Sequence, residues 1–291
     1  VDAGQVQVVH ANDVVTLTGT ATDLDGAVVS ASWTQKDGKS ATLGDTDALE
    51  LTFTAPTGNW QCATNLVFRL TVTDNEGATS EDTVSVFVEN APDGTGGVVS
   101  SPFVTDFESD DGGLWTSVNL WEWGWITGSG PGKGASGAKA WGTKVSGHVP
   151  TNAIYDTAAC LPPVTLPLGG DGVLAFRLYS DVAYDNEDDG TQVEYLDPTN
   201  GWSTLAANIA YQQWGWTDVY TAAPKGYRDV FVELPEAATT APVMLRIHFR
   251  HHYLAASVPG AYIDDVIIAT ESQDPDGDGL PGVQDELATW G

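Results

Sequence analysis

Apolar residues in this sequence recur at every second position and hardly anywhere at helical spacing, which confines the chain to strands. Leu66, Phe68, Leu70 and Val72 alternate with Val67, Arg69 and Thr71, and Val84, Val86 and Val88 alternate with Thr83, Ser85 and Phe87. Further on, Leu174, Phe176 and Leu178 line one face, as do Val243, Leu245, Ile247 and Phe249. Successive strand side chains point to opposite sides of a sheet, so each run supplies one apolar face that must be covered. The dipeptides Asp25-Gly26, Asp37-Gly38, Glu76-Gly77, Asp189-Gly190 and Asn200-Gly201 supply tight turns between runs. Short alternating strands joined in this way stack as sandwiches, so the expected fold class is all-β.

A length of 291 residues suits two cores. The stretch Asn90 to Ser101, rich in Gly, Pro and Ser, reads as a linker. The expected division is therefore a first domain at 1–90, a linker at 91–102, a second domain at 103–270 and an acidic, Gly-rich tail at 271–291. No apolar run approaches the roughly 20 residues of a membrane helix, so membrane insertion is not expected. No leader pattern precedes Val1, so the expectation is a removed leader or a start inside a longer protein.

There are 40 acidic residues against 11 Lys and Arg, a formal charge of −29. Phosphate binding needs a basic footprint, so nucleic acid and anionic membranes are excluded as partners. Charge of this size strains a compact state by self-repulsion, relieved either by divalent cations where acids cluster or by salty surroundings. Cys62 and Cys160 are the only cysteines. That excludes a disulfide-dense scaffold and a zinc cluster, and leaves either one bridge between the domains or two thiols.

Val1-Asp2-Ala3-Gly4, Val15-Thr16-Leu17-Thr18-Gly19, Asp23-Leu24-Asp25-Gly26, Trp33, Phe53-Thr54-Ala55-Pro56 and the run Phe68 to Gly77 occur in an order that resembles the PKD (polycystic kidney disease) domain across residues 1–90. The resemblance implies an immunoglobulin-like β-sandwich serving as a spacer, adhesion or binding module. Trp33 stands where such a sandwich buries one large aromatic between its sheets. Asp23 and Asp25 either cap a turn or touch calcium.

Asp106-Phe107-Glu108, the segment Trp141 to Ala153, and Tyr262-Ile263-Asp264-Asp265-Val266 resemble the MAM-like jelly-roll module of secreted metallopeptidases of the immune inhibitor A type, across about residues 103–270. No His-Glu-x-x-His occurs, so the peptidase itself is missing and only an accessory role carries over. The resemblance implies a structural calcium site where the first and last strands lie side by side. Glu108, Asp264 and Asp265 would be its acids, with help from Asp106; three close carboxylates repel unless a hard cation joins them. Strict alternation, however, puts Asp264 on the face opposite Asp265.

Asp274, Asp276, Asp278 and Asp285 fall at positions 1, 3, 5 and 12 of a calcium-type loop, with Gly279 at the sharp turn and the Leu280 carbonyl as a further ligand. The loop resembles a thrombospondin type 3 repeat, and dockerin and EF-hand loops more loosely, except that Asp285 stands where Glu is usual. Ca²⁺ is the expected cofactor.

Trp121, Trp123 and Trp125 would share one face of a strand and serve either a core or interface or a platform for pyranose rings. Arg246, His248 and Arg250 form a basic stripe opposite an apolar face, which either neutralises acids of the chain itself, meets a neighbouring copy, or binds an anionic polysaccharide. No recognisable nucleophile, phosphate loop or metallohydrolase motif appears, so catalysis is not expected. The leading expectation is a calcium-stabilised extracellular adhesion or structural protein, secreted or on a cell surface, facing polysaccharide, a protein surface or its own copies. One alternative is the carbohydrate-binding region of a larger secreted hydrolase. Another is a filament subunit that donates a strand, with Val1 to Gln7 and the residues near the linker as the candidate donors.

Overall fold

The computed structural model describes residues 1–92, 97–116, 120–128, 130–150, 154–168, 170–181, 190–206, 226–235, 241–251 and 258–273. The described residues form strands and no helix. The chain divides into two compact units, Val1–Ala91 with Leu196–Trp202, and Pro92–Tyr195 with Ser203–Gly291.

The first unit is a sandwich. Its larger sheet runs β1 (Gln7–His10), β6 (Thr79–Glu89), β5 (Ala63–Asp74), β3 (Val28–Asp37), and β2 (Val14–Thr18) pairs with β4 (Glu50–Thr54) in a smaller sheet. The alternating residues meet between them: Leu66, Phe68, Leu70 and Val72 of β5 and Val84, Val86 and Val88 of β6 pack with Val15, Leu17, Leu51 and Phe53. Trp33 is buried there, as the pattern required. The β5–β6 turn is closed by Asp74, whose Oδ1 accepts the amides of Glu76 and Ala78, and Gly77 takes the left-handed conformation the turn demands. Asp23 Oδ1 accepts the Asp25 amide at 3.4 Å, which is turn-capping geometry.

Two expectations need correction here. Val1 to Gln7 is not a spare strand: Asp2 and Thr20 exchange backbone hydrogen bonds at 2.8 Å, Ala3 is buried, and Gln7 already opens β1. The Ala3 amide donates to Asp82 Oδ2 (2.8 Å), so the start of this segment is tied to its own unit. Nor is the linker stretch structureless to its end, because β7 (Val99–Ser100) pairs in parallel with β12 (Val164–Thr165).

The second unit has a six-stranded sheet, ordered β16 (Arg228–Glu233), β13 (Gly172–Asp181), β18 (Gly260–Thr270), β10 (Lys139–Gly142), β9 (Glu122–Trp125), with β8 (Phe103–Thr105) also paired to β18. A four-stranded sheet runs β11 (Tyr155–Cys160), β17 (Leu245–His251), β14 (Gly190–Asp197), β15 (Gly201–Ala206). Leu174, Phe176 and Leu178 of β13 and Leu245, Ile247 and Phe249 of β17 join one core, with Ile263, Val266 and Ile268 of β18. The first and last strands of this unit are neighbours, as expected: Thr105 faces Val266 and Phe103 faces Ile268.

Candidate functional site

The centre of the six-stranded sheet departs from alternation, and the departure builds a site. Ile263, Val266 and Ile268 of β18 all face the core, leaving two residues, Asp264 and Asp265, between the first two inward positions. The register against β13 slips at the same place, between Ala175 and Arg177, and Asp265 has φ +51°. This is a β-bulge. It turns both carboxylates to the outer side of the sheet, where alternation had placed them on opposite faces.

Both acids are fully buried there and both hold the loop that joins β9 to β10. Asp264 Oδ2 accepts the Ala135 amide (2.6 Å); Asp265 Oδ1 accepts the Ser136 hydroxyl (2.5 Å), and its Oδ2 accepts Arg177 Nη1 (2.8 Å). Glu108 fastens the far end of the same loop, its Oε1 accepting the amides of Ala138 and Lys139. A side chain at Gly134 would strike the Lys139 carbonyl at 2.3 Å and Asp264 Oδ2 at 2.7 Å, so the loop needs glycine to lie this close. Burial, and then the neighbouring Asp265 charge, pushes the Asp264 carboxyl up to about 8. Asp265 is also raised by burial, against the pull of Ser136 and Arg177.

These acids were expected to ligate calcium. Their oxygens are instead engaged by amides, a hydroxyl and a guanidinium, and Asp106 Oδ1 accepts the Glu108 amide. Among the described residues no three His, Cys, Asp or Glu side chains are grouped to hold a metal ion. The tail loop, Asp274, Asp276, Asp278, Leu280 and Asp285, lies outside the described residues.

Above the loop anchors lies a cleft of about 670 Å³, lined by Gly130, Pro131, Lys133, Gly134, Ala135, Arg177, Tyr179, Asp181, Gly226 and Tyr227. Arg177, Tyr179 and Asp181 are the outward residues of β13, whose inward residues Phe176 and Leu178 belong to the core. Tyr179, Tyr227 and Tyr262 meet on this side, Tyr179 lying 6.0 Å from Tyr227 and 5.8 Å from Tyr262 between ring centroids. No motif marked this cleft. The signal available was the outward half of the β13 alternation, a strand otherwise notable for its apolar half.

The tryptophan row reaches from core to solvent. Trp121 is buried among core residues and is not a platform residue, because it precedes β9 and enters the sandwich interior. Trp123 is partly buried against the core and donates Nε1–H to the Phe107 carbonyl (2.9 Å). Trp125 is 63% exposed on the edge strand. Lys139 Nζ lies 4.7 Å from the Trp123 ring centre and 6.0 Å from that of Trp125.

The basic stripe on β17 is neutralised within the chain. Arg246 Nε lies 2.5 Å from Glu194 Oε2; His248 Nε2 lies 2.7 Å from Asp156 and its Nδ1 3.1 Å from Glu194; Arg250 reaches Asp156 at 3.6 Å. Glu194 and Asp156 come from β14 and β11, the strands flanking β17, so the alternation that aligned the cations also aligned the acids. Burial alone would raise Glu194, but its bond to His248 and the nearby Arg246 guanidinium hold it below the usual carboxylate range. Neither Cys62 nor Cys160 is a free thiol; both are disulfide-bonded.

Residues 3–88 match the family model of the K319L-like PKD domain, so the chain carries a PKD domain at its N-terminal side. Over 176 residues, 60% of this chain, it is 25% identical to Bacillopeptidase F of Bacillus subtilis (strain 168), and the match spans 11% of that protein. Among solved structures, the PKD domain from KIAA 1837 protein is 27% identical, with 31% of this chain and 88% of that one covered and a TM-score of 0.27. A structure of carbohydrate-binding modules from the β-sandwich superfamily is 16% identical, with 89% and 92% covered and a TM-score of 0.35. The secreted serine protease VesC from Vibrio cholerae is 11% identical, with 93% of this chain and 49% of that one covered and a TM-score of 0.35.

Proposed function

We propose that this chain is a non-catalytic, extracellular accessory region that holds a larger secreted hydrolase against polysaccharide, with the PKD domain as spacer and the second sandwich as the gripping unit. The observation that carries this reading is the indole of Trp125, 63% exposed on an edge strand beside Trp123 and the Lys139 ammonium. A flat aromatic surface at a sheet margin packs against the C–H face of a sugar ring, and a neighbouring ammonium donates to ring hydroxyls. Bacillopeptidase F, a peptidase by name, matches over 60% of the chain, which supports an accessory role. A MAM-like character for the second unit, and a thrombospondin type 3-like calcium loop at Asp274 to Asp285, belong to the same proposal.

Co-sedimentation with insoluble cellulose, chitin and xylan tests it. The wild-type chain is expected in the pellet with at least one of them, and Trp125→Ala in the supernatant. A wild-type chain that stays in the supernatant with all three overturns the reading.

A further inference from the structure

We propose that the cleft between the loop 130–135 and strand β13 is a second, separate binding site, for a neutral hexopyranose unit of a polysaccharide. This assignment rests on the polysaccharide reading but places a ligand on the outer face of the six-stranded sheet rather than on the tryptophan row.

Three observations converge. The cleft, at about 670 Å³, falls within the usual size of a small-ligand site, roughly 300–1,000 Å³. Its walls are fixed before any ligand arrives: Asp264, Asp265 and Glu108 hold the loop from beneath, and Arg177 is held between Asp265 Oδ2 and Asp229 Oδ1, at 2.8 and 3.4 Å. Pre-set walls cost little ordering entropy on binding. Third, the Tyr227 hydroxyl, in the cleft lining, is buried without a hydrogen-bond partner among the described residues. Burial and the nearby Asp264 hold that phenol neutral, so it remains both a donor and an acceptor. A buried polar group without a partner is unfavourable, and a ligand hydroxyl within reach relieves it.

The chemistry of the lining selects the ligand class. Lys133, Arg177, Asp181 and Tyr227 offer donors and acceptors together, the mixture that vicinal hydroxyls need, and Tyr179 and Tyr227 add ring surface. The charges nearly cancel: Arg177 is matched by Asp265 and Asp229, and the lining carries one further residue of each sign, Asp181 and Lys133. An anionic sugar would find no surplus cation, in a chain whose net charge is −29. An apolar ligand would strand the charged groups. A neutral, hydroxyl-rich ring satisfies both constraints.

Isothermal titration calorimetry with cellohexaose, mannohexaose, chitohexaose and polygalacturonate decides the matter, with thermal melts run alongside. At least one neutral hexasaccharide is expected to bind and polygalacturonate is not. Asp181→Ala and Tyr227→Phe should each weaken binding at least tenfold. Tyr227→Phe should leave Tm unchanged or raised, since it removes an unpartnered hydroxyl, which separates loss of a contact from loss of fold. Affinity that survives both cleft variants but is lost in Trp125→Ala overturns the cleft assignment and leaves the polysaccharide reading standing. Binding of polygalacturonate alone overturns the ligand class. No binding of any probe, together with no sedimentation on insoluble polysaccharide, overturns both.

Discussion

Removing Glu194 should cost the second unit more stability than any surface charge could. Its carboxylate stands between Arg246 and His248, with side chains 10%, 11% and 3% exposed respectively. Breaking a buried ion pair by deleting one partner costs about 3–5 kcal/mol, because the remaining charge is left without compensation, whereas an exposed pair is worth about 0–1 kcal/mol. For a unit of this size about 2–4 °C of Tm follows each kcal/mol, so Glu194→Ala should lower Tm by roughly 6–20 °C at neutral pH. Calorimetry and urea unfolding at pH 7 measure it. Because the pair is largely shielded, 0.5 M NaCl should recover little of the loss. The pH dependence has a definite sign. Glu194 has a lowered folded-state pKa, so its contribution is full above the unfolded carboxylate range, about 4.3, and is lost as pH falls through the lower folded value. The gap between wild type and Glu194→Gln should therefore close in acid. Replacing both partners, Glu194→Leu with Arg246→Met, should restore most of the stability. A Glu194→Ala protein within about 1 kcal/mol of wild type would refute the reasoning, since it would mean that water screens the pair as it does a surface bridge.

Asp264→Asn keeps the acceptor for the Ala135 amide and removes a buried acid. The raised folded pKa, about 8, means that this carboxyl's own contribution to stability is full in acid and is lost as pH rises through that value, so the variant should gain on wild type by a few kcal/mol at about pH 9 and hardly at all near pH 4; parallel urea midpoints at the two pH values would count against it. Chelation by EDTA should lower the Tm by several degrees if the loop from Asp274 to Asp285 takes calcium, and a tail variant, Asp276→Ala with Asp278→Ala, should abolish that sensitivity; a wild-type melt unmoved by EDTA removes calcium from the account. Peptide mapping without reductant should recover one species joined through Cys62 and Cys160, and recovery of both as alkylated thiols would contradict it.

The sandwiches were legible because alternation is a strictly local signal. Leu66 to Val72 and Leu174 to Leu178 each announced a buried side, and the cores use those residues. The pattern failed where distant segments intervene. Ser85 and Phe87 alternate with the inward valines of β6, yet both are buried too, and Ser85 Oγ donates to the Pro198 carbonyl (2.8 Å), which belongs to the same unit although it lies 113 residues along the chain. The Asp264 and Asp265 pair failed for a different reason. A bulge changes the parity of a strand, and nothing in Ile263-Asp264-Asp265-Val266 by itself says that the register slips opposite Phe176. The role of these acids as loop anchors depends on Ala135 and Ser136, which carry no signal of their own. The β17 stripe was read with its alternatives open, and the flanking acids that settle it sit on strands whose pairing the sequence does not state.

The parallel pairing of β1 with β6, Gln7 opposite Val86 through His10 opposite Glu89, has a mechanical meaning. Strands that run the same way and sit side by side place the entry and the exit of the first unit at opposite ends. Tension along the polypeptide, as when an anchored enzyme is dragged by flow, would slide these strands past each other and load their rungs together instead of peeling them one at a time. In single-molecule stretching this unit should therefore yield at one sharp, high-force event, and Ala11→Pro, which deletes the amide donor to the Glu89 carbonyl, should soften it.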